Sequence, residues 1–249
     1  METLALIPSI PNLLTFFISY LIIYLIAYFF IFRHFKSSLR PEAASCAISF
    51  SHGTPAVFLA TAAILSDASR SFHSRNTPFQ SLVLDYSVAY FLMDLCHYLV
   101  FFPGDVLFIA HHLATLFVFL TCRFAAGHGA YAILVLLVLA ELTSFCQNTW
   151  TLAGALKSDL SFAAKVYEFF SPPFYALYTV VRGFAGPLFL YRMLVSYLSG
   201  DADGVIPPWM WISWIAVVSA AISVSILWIS NLWVELYREK SQKLHKKSS

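Results

Sequence analysis

From Leu82 to Phe124 the chain reads LVLDYSVAYFLMDLCHYLVFFPGDVLFIAHHLATLFVFLTCRF. Two apolar runs, each close to the roughly 20 residues that cross a hydrocarbon layer, are separated only by Pro103-Gly104-Asp105. A turn that short leaves no room for a soluble domain, so the stretch reads as a transmembrane helical hairpin. The same window length picks out five further spans: Asn12 to Phe32, Ala44 to Leu65, Gly129 to Ala153, Phe174 to Leu198 and Trp209 to Trp233. The fold class this predicts is all-α: a polytopic transmembrane bundle of about seven spans.

Composition agrees. The chain is 59% hydrophobic and 11% charged, with 15 basic and 13 acidic side chains. That is too little charge to coat a soluble globule of 249 residues, whose surface normally takes about a quarter of all residues as charged groups. A net charge of +2 with no basic stripe gives no support to nucleic-acid binding. Cys46, Cys96, Cys122 and Cys146 fall within or at the ends of apolar runs without CxxC spacing, which makes them packing residues rather than disulfide or zinc partners. The apolar run of the first span is long, and the residues ahead of it carry Glu2 and no Lys or Arg, so it reads as a retained anchor rather than a cleaved signal.

Orientation follows from basic loop residues, which stay on the cytosolic side. Arg33, Lys36, Arg40, Lys157, Lys165 and the tail residues Arg238, Lys240, Lys243, Lys246 and Lys247 outweigh Arg70, Arg75, Arg123 and Arg192 on the other side. The expectation is a lumenal N-terminus and a cytosolic C-terminus. Lys246-Lys247-Ser248-Ser249 resembles a dilysine retrieval signal, which points to the endoplasmic reticulum. The chain divides into an anchor and cytosolic loop (1–43), a transmembrane domain (44–234) and a basic cytosolic tail (235–249).

A titratable side chain at bilayer depth costs about 2.5–3.5 kcal/mol on insertion scales, so such residues face the bundle interior and mark function. Asp94 and His97 share one helix face, with Tyr90 and Tyr98 one turn away from Asp94. His111 and His112 lie about 100° apart on the next helix, with Thr115 on the arc between them. Glu141, Ser144 and Asn148 form a stripe on the fifth span. Counting about 1.5 Å per residue from each predicted end brings these groups to similar depths, in one chamber walled by spans three, four and five. Thr115, Ser144 and Tyr90 read equally well as hydrogen-bonding glue between helices. Arg182, on a stripe with Tyr175 and Tyr178, is expected to pair with Asp94 or Glu141, or to meet an anionic headgroup. His34, His52, His73, His128 and His245 read as scattered outside the spans or on different sides, so no di-iron histidine boxes form and no metal site is expected.

The ordered set Tyr90-Phe-Leu-Met-Asp94, His111-His112-Leu-Ala-Thr115 and Glu141-Leu-Thr-Ser-Phe-Cys-Gln-Asn148 resembles the core of the TLC (TRAM, Lag1 and CLN8) domain family, in particular its small plant members. A distant relation to ceramide synthases implies acyl transfer from acyl-CoA, as substrate rather than resident cofactor, to a long-chain amine. His111 and His112 would be the reactive pair and Asp94 or Glu141 the orienting carboxylate. A neutral imidazole in a dry cavity can take the amine proton or accept the acyl group itself. Thr115, Ser144, Asn148, His97 and Arg182 would line the substrate path. Ceramide synthases continue into a His-Asp and acidic stretch, whereas here span five reads Ala140-Glu141-Leu-Thr-Ser-Phe. Two functions stay open: an acyltransferase of sphingolipid or acyl-lipid metabolism, and a non-catalytic sensor, carrier or regulator of membrane lipid composition. In both, the partners are membrane lipids and their acyl chains. A seven-helix receptor shares the topology but gives no reason for ionisable residues in the cytosolic half of spans three to five.

Overall fold

The structure, a computed structural model, describes residues 9–248; side chains are described over 11–238 and at 241. Nine α-helices carry the described chain: α1 (Ser9–Ile26), α2 (Arg40–Ser66), α3 (Pro78–Phe101), α4 (Val106–Leu120), α5 (Ala130–Glu141), α6 (Ser144–Leu156), α7 (Ser161–Tyr178), α8 (Gly186–Leu198) and α9 (Pro208–Ser248). Three π-helical segments, Ala27–Ile31, Thr121–Ala126 and Thr179–Ala185, extend α1 and α4 and join α7 to α8. This is the expected all-α polytopic membrane bundle.

Six helical stretches among the described residues are long and apolar enough to cross a membrane. The run 161–198 is also helical throughout, but with Lys165, Glu168, Arg182 and Arg192 along it, it is not among those six. Span five is a broken helix: α5 ends at Glu141 and α6 begins at Ser144. Large apolar side chains stay exposed around the bundle, such as Leu14, Phe30, Phe58, Val100 and Phe184. Contiguous apolar surface of this kind suits hydrocarbon rather than water.

Helix α3 is the centre. It packs against α1, α2, α4 and α5, and 67% of its apolar window is buried, against 17% for the first and last spans. Its start is fixed by chemistry local to the sequence. Thr77 caps it, accepting from the Gln80 backbone at 3.1 Å, while the Gln80 side chain accepts from the Thr77 backbone at 2.9 Å, and Pro78 fits the first turn. The same Gln80 amide donates to Asp67 Oδ2 at 3.0 Å, tying α3 to the end of α2. Within α2, Pro55 has no N–H to offer the Ser51 carbonyl one turn earlier, and Tyr86 of α3 donates its hydroxyl there at 2.7 Å.

Two ends of the bundle can be distinguished. At one, Lys36 in the loop after α1 meets Asp159 in the loop after α6 at 2.7 Å. At the other, Asn76 donates to the Cys122 carbonyl at 2.9 Å and accepts from the Ala130 backbone at 2.8 Å, and Tyr197 donates to the Phe72 carbonyl at 3.3 Å. Gly127 and Gly129 turn the chain there with φ of 63° and 86°, values that favour glycine. Near this end Trp214 of α9, fully buried, donates its indole to Thr121 at 2.8 Å. Of the dilysine tail, Ser249 and the side chains of Lys246 and Lys247 lie outside the described residues.

Candidate functional site

The ionisable residues of the spans fall into two groups. In the first, Asp94 of α3 is 4% exposed; its Oδ2 lies 2.9 Å from Nε2 of His112 on α4, and its Oδ1 accepts from Ser45 of α2 at 2.7 Å. Nδ1 of His112 lies 2.7 Å from the Phe108 carbonyl one turn back. A carbonyl only accepts, so Nδ1 carries a hydrogen, and a single further proton lies between Nε2 and the carboxylate. Three helices are thus joined at one buried polar knot, and both ring nitrogens of His112 are occupied.

The second group centres on Glu141, at the break in span five. Its Oε2 accepts from Ser144 at 2.6 Å, and its Oε1 lies 3.8 Å from Nδ1 of His52 on α2. His52 is fully buried, stacked on Tyr90 with ring centroids 4.0 Å apart, and its Nε2 meets Ser87 at 3.1 Å. Among the described residues Nδ1 of His52 has no hydrogen-bond partner, and the Tyr20 ring stands 6.3 Å from the imidazole. Gly53 lets this packing occur: a Cβ there would stand 2.8 Å from Oε2 of Glu141.

A cavity of about 140 Å³ opens beside Glu141, between α4, α5, the π-helical segment 179–185 and α9. Its polar lining is His111, Thr115, Glu141 and Arg182, with Ser225 of α9, whose hydroxyl donates to the Ala221 carbonyl at 2.9 Å; the remaining wall is apolar, with Phe91, Ile133 and Val218 representative. Arg182 donates through Nη2 to the Ala140 carbonyl at 2.8 Å, at the helix break, and its buried Nε has no hydrogen-bond partner among the described residues. No ion pair joins it to Asp94 or Glu141 among the described residues. The expected pairing of Arg182 with a carboxylate is therefore replaced by a contact to backbone that the break makes available.

The single chamber expected from the sequence is divided. His111, Thr115, Glu141 and Arg182 share the cavity, while Asp94 and His112 do not line it. Phe91 does, and its ring borders both histidines, 6.5 Å from His111 and 5.7 Å from His112. Adjacent histidines about 100° apart on one helix necessarily face different neighbours. His97 turns to α1, 2.9 Å from the Tyr24 hydroxyl, and Asn148 donates to Ser49 of α2 at 2.7 Å, so both act as ties between helices. Ser144 acts through Glu141.

Two residues escaped the sequence reading. His52 had been set aside with the scattered histidines, yet it sits inside the second span and faces Glu141. Its position within an apolar run was the available signal. Asp85, the eighth residue of α3, is 1% exposed and held by Arg123 through contacts of 2.8 and 3.1 Å.

The chemistry available at the cavity is that of one imidazole, one carboxylate and one guanidinium set in an apolar slot. Such a set can accept a proton, orient a polar group and balance a negative charge. Comparison with known proteins agrees with the reading of the motifs. The sequence profile of the TLC domain matches residues 42–234. A TLC domain-containing protein of Arabidopsis thaliana is 63% identical over 234 residues, covering 93% of this chain and 92% of that protein. No solved structure matches the chain.

Proposed function

The chain belongs to the TLC domain family, and on that footing we propose that it holds the acyl part of a membrane lipid in the cavity of α4, α5, segment 179–185 and α9, with the lipid's polar linkage at His111, Glu141 and Arg182. The observation that carries this reading is the cavity itself: apolar along most of its wall, with three ionisable side chains from three elements converging on it. Isolated charges are expensive in hydrocarbon, so their convergence on one slot calls for a partner that is both polar and apolar.

The reaction that suits these groups is acyl transfer. His111 takes the proton of an attacking amine as the amine nitrogen bonds to the thioester carbonyl carbon of an acyl-CoA; the thiolate of coenzyme A leaves and is protonated in turn. Arg182 balances the charge on the carbonyl oxygen, and the Glu141 carboxylate on the same cavity wall offsets the positive charge that develops on the imidazole. The Asp94–His112 pair supports this site by locking α3 to α4 rather than by touching substrate. The setting we assign is the endoplasmic reticulum membrane, with the N-terminus lumenal and the end bearing Lys36 and Asp159 cytosolic.

A second reading keeps the cavity and drops the reaction. Because both nitrogens of His112 are engaged, only one histidine of the pair is available, which also suits a protein that binds lipid and adjusts membrane composition without chemistry. A lipidome of cells expressing the chain or its His111→Ala variant at matched abundance separates the two. Loss of one lipid product class on substitution supports the transferase; a broad shift in acyl composition that survives the substitution supports the regulator.

A further inference from the structure

A second cavity, of about 420 Å³, lies at the bundle end where α2 meets α3 and α8 meets α9. Its walls come from the α2–α3 loop (Phe72), the start of α5 (Tyr131), α8 from its first turn (Phe189) past its middle (Arg192) and the turn that follows (Asp201). It shares α5 and α8 as neighbours with the first cavity but none of its polar residues.

Its charges are unusual in being opposite yet unjoined. Arg192 makes no ion pair or hydrogen bond among the described residues, and Asp201 is turned to Ser196, accepting its hydroxyl at Oδ2 at 2.8 Å. A cation and an anion placed in one cavity normally neutralise each other; held apart, they present two poles to a ligand. The same cavity has an aromatic wall, with the Phe72 ring 5.6 Å from Tyr131 and 5.5 Å from Phe189. Aromatic faces attract ammonium groups, quaternary ones included, while a guanidinium fits a phosphate with paired donors. An anion alone would be repelled by Asp201, and a cation alone by Arg192.

The level in the membrane fits as well. Arg192 lies six residues before the end of α8, about 9 Å at 1.5 Å per residue, and Tyr191 beside it is exposed. Arginine and tyrosine near a helix end suit the membrane–water interface, with the arginine reaching outward toward the headgroups.

We propose that this cavity binds the zwitterionic headgroup of a phospholipid, with the phosphate on Arg192 and the ammonium between Asp201 and the rings of Phe72, Tyr131 and Phe189. The inference is independent of the reading of the inner cavity. It names a resident lipid at the opposite end of the bundle and requires no chemistry there.

The test uses the full chain reconstituted in nanodiscs made of equal parts phosphatidylcholine and phosphatidylglycerol, then extracted in detergent and analysed for retained lipid by native mass spectrometry. Wild type is expected to retain phosphatidylcholine at least tenfold over phosphatidylglycerol. Arg192→Gln is expected to lose retained phospholipid, and Asp201→Asn to raise phosphatidylglycerol relative to phosphatidylcholine. Both side chains are exposed, so both variants should melt within about 2 °C of wild type, which separates loss of binding from loss of fold. Equal retention of the two lipids by wild type, or a preference that neither substitution alters, overturns the proposal. Radiolabelled glycerophosphocholine, which has the headgroup and no acyl chains, is expected not to bind at micromolar concentration; binding as tight as the lipid's would overturn the assignment to a membrane lipid.

Discussion

Nε2 of His112 lies 2.9 Å from Oδ2 of Asp94, and this buried contact ties α4 to α3 immediately beside the histidine that faces the cavity. The two neighbours in the His111-His112 dipeptide therefore have separable tasks. One lines the slot in which lipid is proposed to sit; the other keeps the slot's wall in register.

That separation is measurable. Removing His112 as His112→Ala leaves the Asp94 carboxyl buried without its partner, a change that costs about 3–5 kcal/mol when one member of a buried pair is lost. Thermal unfolding in detergent should show a drop of many degrees for His112→Ala and for Asp94→Ala, with the double variant little worse than either single one. His111→Ala, whose imidazole has no hydrogen bond among the described residues, should melt close to wild type while altering the lipid phenotype.

Arg123 holds Asp85 with two contacts across α3 and the end of the fourth span. Arg123→Ala is expected to cost a similar 3–5 kcal/mol. Arg123→Lys should recover part of that, since lysine keeps the charge but not the paired geometry. Protein recovered after extraction, followed by fluorescence-detected size exclusion, reads this out; equal behaviour of the two variants would deny the fork its role.

Gly53 reports on the close approach of α2 to the break in span five. In Gly53→Ala the new methyl would stand 2.8 Å from Glu141 Oε2 and 3.0 Å from Ser144 Cβ. Overpacking of this kind costs about 1–3 kcal/mol. Because the clash displaces the Glu141 carboxylate, the lipid phenotype should fall further than the melting temperature alone would explain, and Gly53→Ser should be worse than Gly53→Ala.

Asp67 gives a prediction in pH, since it lies in the loop after α2 and not within a span. Burial pushes its carboxyl up, but the Ser69 backbone and hydroxyl and the Gln80 amide all donate to it and together hold it below the ordinary carboxylate value. A lowered carboxyl stabilises the fold above its unfolded pKa of about 3.9, and that contribution is lost as pH falls through the folded value. The gap in melting temperature between wild type and Asp67→Asn should be constant from about pH 5 upward and close progressively below about pH 4.

Much of this architecture was legible from residue order alone. The apolar runs located the spans because hydrocarbon leaves a chain few alternatives. Asp94, His111, His112 and Glu141 stood out because each is costly where it lies. Partner choice was not legible. Spacing placed His111 and His112 on one helix, but which of them met Asp94 depended on the rotation of α4, which no local pattern sets. The break between Glu141 and Ser144 was hidden as well: no proline or glycine marks it, and the Arg182 contact to the Ala140 carbonyl that accompanies it comes from 42 residues away. The place of His52 was legible too, since it lies within an apolar run on one stripe with Ser45 and Ser49, but its partner was not: Glu141 lies 89 residues further on.

The most direct test of the account asks whether an acyl chain enters the cavity. A phospholipid carrying a diazirine near the middle of one acyl chain, photolysed in membranes containing the chain, should label Ile133, Val218 and their neighbours on α5 and α9. Ala221→Trp, which fills the slot, should remove those adducts. Adducts confined to the outer surface, at residues such as Phe169, Phe184 and Leu188, and unaffected by Ala221→Trp, would contradict it.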